Sequence, residues 1–246
     1  MGRKSLWIRL ALLIVALGTV PAAGFAQSVA SRFGVQAKIS TLGIGGEGAV
    51  ELTHRINIRA GYNAYNFDHT FSKDGISYGA TLGLRSFTAN ADIYLLGPLH
   101  ISPGALLYNG FKVSANAAVA SGNTFTLGGT TYESGSANPL HGALSMTVPK
   151  AAPELLIGLG NLVPRSHRHI TFNFDTGVVF QGSLTSTLTL TGQACAPPNT
   201  SGVTCVEAST NSTVQANVVA QQTKLNSDLK TFKYYPIVSF GIGLHF

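Results

Sequence analysis

Between Ile170 and Thr191 the chain alternates without a break. The even positions are Ile170, Phe172, Phe174, Thr176, Val178, Phe180, Gly182, Leu184, Ser186, Leu188 and Leu190. The odd ones are Thr171, Asn173, Asp175, Gly177, Val179, Gln181, Ser183, Thr185, Thr187, Thr189 and Thr191. Eight of the 11 even positions are apolar, against one of the 11 odd ones. A helix, with its 3.6-residue period, cannot produce a period of two sustained over 22 residues. Ordinary globular strands run to about five or six residues, and a strand tilted across a bilayer to about 9–11. The stretch therefore predicts a strand that crosses a membrane and projects beyond it, with the Thr-rich half outside.

Working outward, the same pattern recurs. Ile56, Ile58, Ala60, Tyr62 and Ala64 alternate with Arg55, Asn57, Arg59, Gly61 and Asn63, and Ile44, Val50 and Leu52 with Glu47, Ala49, Glu51 and Thr53. In 76–95 the apolar set begins as Ile76, Tyr78, Ala80, Leu82 and Leu84, then becomes Phe87, Ala89, Ala91, Ile93 and Leu95. One extra residue near Arg85-Ser86, a β-bulge, would produce that change of phase. In 99–117, Ile101, Ala105, Leu107, Phe111, Val113 and Ala115 oppose His100, Ser102, Tyr108, Lys112 and Ser114. Pro149 and Pro153 predict a break within 139–162. The chain ends with Tyr234, Pro236, Val238, Phe240, Ile242, Leu244 and Phe246 on one face.

Eight strands are predicted, over 33–40, 44–54, 55–66, 76–95, 99–118, 139–162, 168–191 and 234–246. Ten is the alternative if 119–137 crosses as a hairpin. Short connections near Thr53-His54-Arg55, Leu96-Gly97-Pro98 and 163–168 alternate with long polar ones near 66–75, 119–137 and 192–233. Transmembrane barrels share that asymmetry, with tight turns on one side and long loops on the other. Within the last loop, Val214, Val218, Leu225, Leu229 and Phe232 recur at heptad-like spacing and predict one helix over 211–232. Ser209, Thr210 or Asn211 would cap it. It reads as a lid or side-packing element, or alternatively as a coiled-coil partner.

Composition agrees. Charged residues are 11%, against roughly 25% in an average soluble domain. Beyond the N-terminus no apolar run reaches the roughly 18 residues of a helical span. Residues 1–26 read as a signal peptide: Arg3 and Lys4, an apolar core from Leu10 to Val20, then small residues before a cut after Ala26. A signal anchor is the alternative. Removing the segment leaves 13 basic against 10 acidic side chains, so the apparent basicity no longer supports a nucleic-acid partner. Export favours pairing of Cys195 with Cys205 in the Pro/Thr/Ser/Asn-rich stretch 192–206.

These residues resemble the small Gram-negative outer-membrane β-barrel proteins of the outer membrane protein A and W types, and more closely a set of exported barrel-domain proteins. The resemblance is carried by Ser40-Thr41-Leu42-Gly43, Ile58-Arg59-Ala60-Gly61-Tyr62-Asn63, Val179-Phe180-Gln181-Gly182-Ser183 and the tail from Phe232 to Phe246. It spans nearly all of 27–246 and implies a closed antiparallel transmembrane barrel in the outer membrane, in contact with its lipid. It also implies that Phe246, closing an alternating strand, is read by the barrel-assembly machinery. No periplasmic domain follows the barrel, so peptidoglycan binding is not carried over.

The faces opposite the apolar ones carry Glu47, Glu51, Asp92, Glu154 and Asp175 with Arg59, Arg85, Lys112 and Lys150. An eight-stranded barrel is just wide enough for its own side chains, so these nine predict an ion-pair network filling the lumen. A narrow conduit for small solutes is the competing reading. An enzyme acting on lipid A would need a nucleophile and base at the outer rim. His141 and Ser145, four apart on a strand, are about 13 Å from each other, too far for a hydrogen bond. His167, His169 and His245 fall on the opposite side. No metal-ligand spacing and no Gly-rich phosphate loop is present, so neither cofactor nor metal is expected. The expected role is structural or surface-interacting, with no ligand legible in the residues.

Overall fold

The computed structural model describes residues 32–164, 169–197 and 205–246. The predicted signal peptide over 1–26 and His167 lie outside them. In chain order the elements are β1 (Phe33–Ser40), β2 (Gly43–Thr53), β3 (Ile56–Lys73), β4 (Ile76–Leu96), β5 (Leu99–Asn109), β6 (Lys112–Val119), β7 (Thr124–Leu127) and β8 (Thr130–Ser134). They continue as β9 (Leu140–Thr147), β10 (Ala152–Leu159), β11 (Ile170–Val179), β12 (Thr185–Thr191), β13 (Gln193–Cys195), β14 (Val206–Glu207), α1 (Ser212–Leu229) and β15 (Tyr235–His245).

Hydrogen bonding runs β4-β3-β2-β1-β15-β11-β10-β5 and returns from β5 to β4. Eight antiparallel strands thus close into a barrel. Three arms continue above it as separate strands: β5 into β6, β10 back to β9, and β11 into β12. With the upper halves of β3 and β4 these form an open sheet in the order β3-β4-β6-β9-β12. A small sheet, β14-β13-β8-β7, and α1 stand beside it.

The stretch 119–137 contributes the hairpin β7–β8 to that small sheet, so the barrel has eight strands and not ten. The expected long loop over 66–75 is instead strand: residues from Tyr65 to Lys73 pair rung by rung with Leu84 to Ile76. Only Asp74 and Gly75 turn the corner, at φ 52° and 73°, the left-handed pair that a two-residue hairpin needs.

Partners opposite each other in a ladder share a face, so the lumen side can be followed from strand to strand. On β3 it carries Asn57, Arg59, Gly61 and Asn63, then Tyr65, Phe67, His69 and Phe71. Across from these upper residues stand Leu84, Leu82, Ala80 and Tyr78 of β4, followed by Val113, Ala115 and Ala117 of β6. Met146 and Leu144 of β9 and Leu188 and Leu190 of β12 complete the row. Up to Asn63, Ser86 and Asn109 the inner face is polar and the outer one apolar. Above that level the outer face is polar and the inner one apolar: Ile76, Val119, Leu140, Leu188 and Leu190 of the inner face pack on the head, while Tyr65, Phe67 and Phe71 at the β3 end stay exposed. The reversal marks the edge of the membrane-facing band.

This reversal corrects the expected bulge at Arg85-Ser86. The β3–β4 register passes through Arg85 opposite Ala64 and Ser86 opposite Asn63 without a shift. The apolar set changes there because the surroundings invert while the strand runs straight. In 170–191 the opposite happens. The even residues face outward in β11 and inward in β12, and the segment 180–184, with Gly182 at φ 74°, turns the strand over. Two inversions cancel, so the sequence alternates as if nothing had changed. The extra residue on β5, between the Phe87 and Thr88 pairings, does the same for 99–117.

The head has its own core: Val119, Leu127, Tyr132, Leu140, Leu190, Ala194, Ala208, Val214 and Val218. Asn211 caps α1 by accepting from the amides of Thr213 and Val214. The helix lies against the free edge of β12. There Asn226 accepts from Ser186 N at 2.8 Å and Gln222 from Leu188 N at 3.1 Å. A bare strand edge is a template for further pairing, and these side chains close it, so α1 is a side-packing element.

Cys195 and Cys205 are joined, and Cys195 is fully buried in the small sheet. Closing so short a loop stabilises it by roughly 2–3 kcal/mol on a chain-entropy model. Cys195 pairs in its ladder with Glu133 of β8, a strand of the small sheet and not of the barrel. The Cys195→Ser, Cys205→Ser double variant is therefore expected to keep heat-modifiable gel migration but to be cut faster between 192 and 212 by protease added to intact cells. Unfolding of the barrel itself in that variant would contradict the separation of head and barrel.

Candidate functional site

The lumen is built in three tiers. In the middle one, Arg59 projects from β3 into three carboxylates. Its Nε is 2.7 Å from Glu47 Oε1, a charge contact without hydrogen-bond alignment. Its Nη2 is 3.1 Å from Asp92, and its Nη1 donates to Asp175 at 2.8 Å. Lys38 pairs with the same Glu47, and His100 Nε2 is 3.0 Å from Asp175. Ser102 donates to Asp92 at 2.6 Å, Ser239 to Asp175 at 3.3 Å, and Asn90 to Glu154 at 2.5 Å. Room for the His100–Asp175 pair comes from Gly158, opposite both in the ladder, where a Cβ would collide with each.

Below, Asn57 donates to the Tyr94 hydroxyl at 3.2 Å and to Asn161 at 3.0 Å. Asn161 also accepts from Val163 N at 2.9 Å, which folds 160–164 up into the barrel. Leu162 and Val163 are buried there beside Ala49. The fit requires Gly34, since a Cβ at that position would strike the Leu162 carbonyl. Above the charges, Leu42, Leu106, Ala152, Leu156, Val179 and Ile237 form an apolar layer. Tyr235 fixes the Leu42 turn over it by donating to the Thr41 carbonyl at 2.6 Å. A small pocket of about 10 Å³ lies above this layer, bordered by Leu84, Ser86 and Asn109.

Of the nine charges expected in the lumen, the structure brings Glu47, Arg59, Asp92 and Asp175 together and sets Glu154 beside them. Glu51 stands at the lower rim, 3.5 Å from His54. Arg85, Lys112 and Lys150 are exposed and lie outside the network. For Arg85 and Lys112 the correction has the same origin as the missing bulge: above Ser86 the polar face is the outer face; Lys150 lies in the connection between β9 and β10. Lys38 and His100 belong to the network though the sequence count omits them. Both lie on the polar faces of β1 and β5, and alternation alone would have added them.

His141 and Ser145 sit on the water-facing side of β9, opposite Ala118 and Ser114. His100 and Asp175 have the spacing of an acid–base pair, but their side chains are 1% and 3% exposed, sealed from any substrate. Among the described residues no cluster suits a metal ion.

The outer surface carries a band of aromatic residues at the upper limit of its apolar region. Tyr62 is opposite Phe87 and Phe87 opposite Tyr108, while Phe180 packs edge-on to Tyr234 at 5.7 Å. Such girdles mark the interfaces of membrane barrels. Phe246 ends the chain near the opposite limit, its amide donating to Phe33 O at 3.3 Å.

No family model matches the chain, and no curated protein does. Two solved structures share its architecture. The crystal structure of Acinetobacter baumannii CarO is 19% identical with a TM-score of 0.54, covering 87% of this chain and 97% of its own. That of Acinetobacter baumannii CarO2 is 17% identical with a TM-score of 0.55, covering 87% and 98%. What this chain shares with them is the fold, a closed antiparallel transmembrane β-barrel.

Proposed function

We propose that this protein is a non-conducting outer-membrane barrel whose work is done by its extracellular head, in a structural or surface-interacting role. The observation that carries the reading is the lumen: a charge network sealed by apolar layers at both ends. Arg59 holds three carboxylates across the interior, and together with Lys38 and His100 they occupy the middle of the lumen. Above the barrel, the β3–β4 end of the inner face offers contact area. Tyr65, Phe67 and Phe71 are 44–48% exposed, with Phe67, His69 and Phe71 stacked at 6.1 and 5.8 Å.

The barrel-assembly machinery belongs to this reading as the partner that Phe246 would engage. The resemblance to the outer membrane protein A and W types, and the closer one to exported barrel-domain proteins, also belongs here, and the eight-strand count agrees with it. A porin-like conduit is the rival class. The mature protein in planar bilayers is expected to remain electrically silent. Steady, reproducible single-channel steps would replace this reading with solute transport. Lipid A mass spectra that change when the protein is removed from cells would instead favour a lipid-modifying enzyme.

A further inference from the structure

Two cations face outward just above the aromatic band, and a third lies in the connection beside them. Arg85 faces outward opposite Ala64, two rungs above the Tyr62–Phe87 pair. Lys112 is opposite Gly83, the next outward position of β4, which makes it a diagonal neighbour of Arg85 at roughly 7–8 Å. Lys150 lies between β9 and β10, where its carbonyl accepts from Asn109 N at 2.7 Å, and Asn109 is itself opposite Ser86. All three side chains are exposed, and among the described residues none of them forms an ion pair. The acid that the register places closest on this face is Asp68, opposite Thr81. That is four residues up β4 from Arg85, about 13 Å away.

Arg85 and Lys112 border a cleft of about 390 Å³ on the outer wall, together with Asn66, Tyr108, Gly110 and Ser114. Gly110 lies under the Tyr108 ring, at a position where a Cβ would come within 2.7 Å of the hydroxyl oxygen. The cleft straddles the level at which the outer face changes from apolar to polar. A group seated there would have hydrocarbon below it, water above it and two positive charges beside it.

Phosphate on a lipid headgroup fits that place. It sits at the hydrocarbon boundary, carries the countercharge the cations lack, and accepts charge-assisted hydrogen bonds. We propose that this cleft seats a phosphate of an outer-leaflet glycolipid, held by Arg85 and Lys112, with Lys150 adding positive field from the adjoining arm. Tyr108, Tyr62 and Phe87 flank the acyl side. The inference rests on the outer-membrane reading above and adds a specific lipid contact to it.

The test uses the mature chain refolded into phosphatidylcholine vesicles containing a minor fraction of bis-phosphorylated lipid A. After mild detergent extraction, native mass spectrometry counts lipid A per barrel. The parent is expected to retain it. The Arg85→Gln, Lys112→Gln variant should retain at least about tenfold less, because two charge-assisted contacts are removed together, while Lys112→Arg should behave as the parent. Dephosphorylated lipid A should not be retained. If the double variant fails to insert, Lys112→Gln alone makes the same comparison on an exposed side chain. Equal retention by parent and variant would overturn the proposal, as would retention of the dephosphorylated lipid. Displacement by millimolar inorganic phosphate would overturn it too, by making this a free-anion site. A parent that shows heat-modifiable migration yet keeps no lipid A defeats the lipid site alone. A parent that never inserts defeats the membrane reading and the lipid site together.

Discussion

Replacing Arg59 with methionine is expected to destabilise the barrel by about 3–5 kcal/mol, the range for breaking a buried ion pair by removing one partner. Arg59 is the cation that Glu47, Asp92 and Asp175 share. Without it, Lys38 still faces Glu47 and His100 still faces Asp175, but Asp92 loses its ion-pair contact and is left with the hydrogen bond from the Ser102 hydroxyl. Three carboxylates would crowd a lumen closed to water by Leu162 and Val163 below and the Leu106 layer above. The readout is the temperature at which the compact gel band converts to the unfolded one, which should fall well below that of the parent. Adding Asp92→Asn and Asp175→Asn to Arg59→Met removes the uncompensated charge and should restore most of the loss. A single Arg59→Met variant as heat-resistant as the parent would mean that water reaches the network, and with it the case for a sealed lumen would fail.

The barrel was legible because its eight arms alternate. The head was less so. Residues 66–73 look like a loop because Asn66, Asp68, Thr70 and Ser72 are polar, yet these are the outer face of a strand standing in water. The partner signal was Asp74-Gly75, a hairpin turn in two residues. Extending the lower rule upward, polar in and apolar out, places Arg85 and Lys112 in the lumen, although both face outward. Single-sequence alternation reports which residues share a face but not which side that face is on. The side is set by what lies beyond the strand, and for this chain it changes at the level of Asn63, Ser86 and Asn109. The charge network could be anticipated in kind from the polar row of each strand. Its membership could not, because the register between distant strands decides who meets Arg59.

The segment that looked most regular should be the most sensitive to a change of phase. In β12, Leu188 and Leu190 point to the head core, and Thr187, Thr189 and Thr191 to water. Deleting Thr187 alone shifts one end of the strand by one residue and must turn either Leu188 and Leu190, or Leu184 and Ser186, to the opposite side. A buried leucine contributes about 1.5–3 kcal/mol relative to an exposed one, and the threonines that replace them bring hydroxyls against Val214 and Val218. The amides of Ser186 and Leu188 would also lose alignment with Asn226 and Gln222. The helix should then detach, and protease added to intact cells should cut within 212–229 while the barrel keeps its heat-modifiable migration. Deleting Thr187 and Leu188 together removes more chain but preserves the alternation, with Leu190 moving into the place of Leu188. That larger deletion should leave α1 better protected than the smaller one. If the two-residue deletion is cut as fast as the one-residue deletion, or faster, then phase is not what holds the helix, and the inversion between β11 and β12 has no energetic weight.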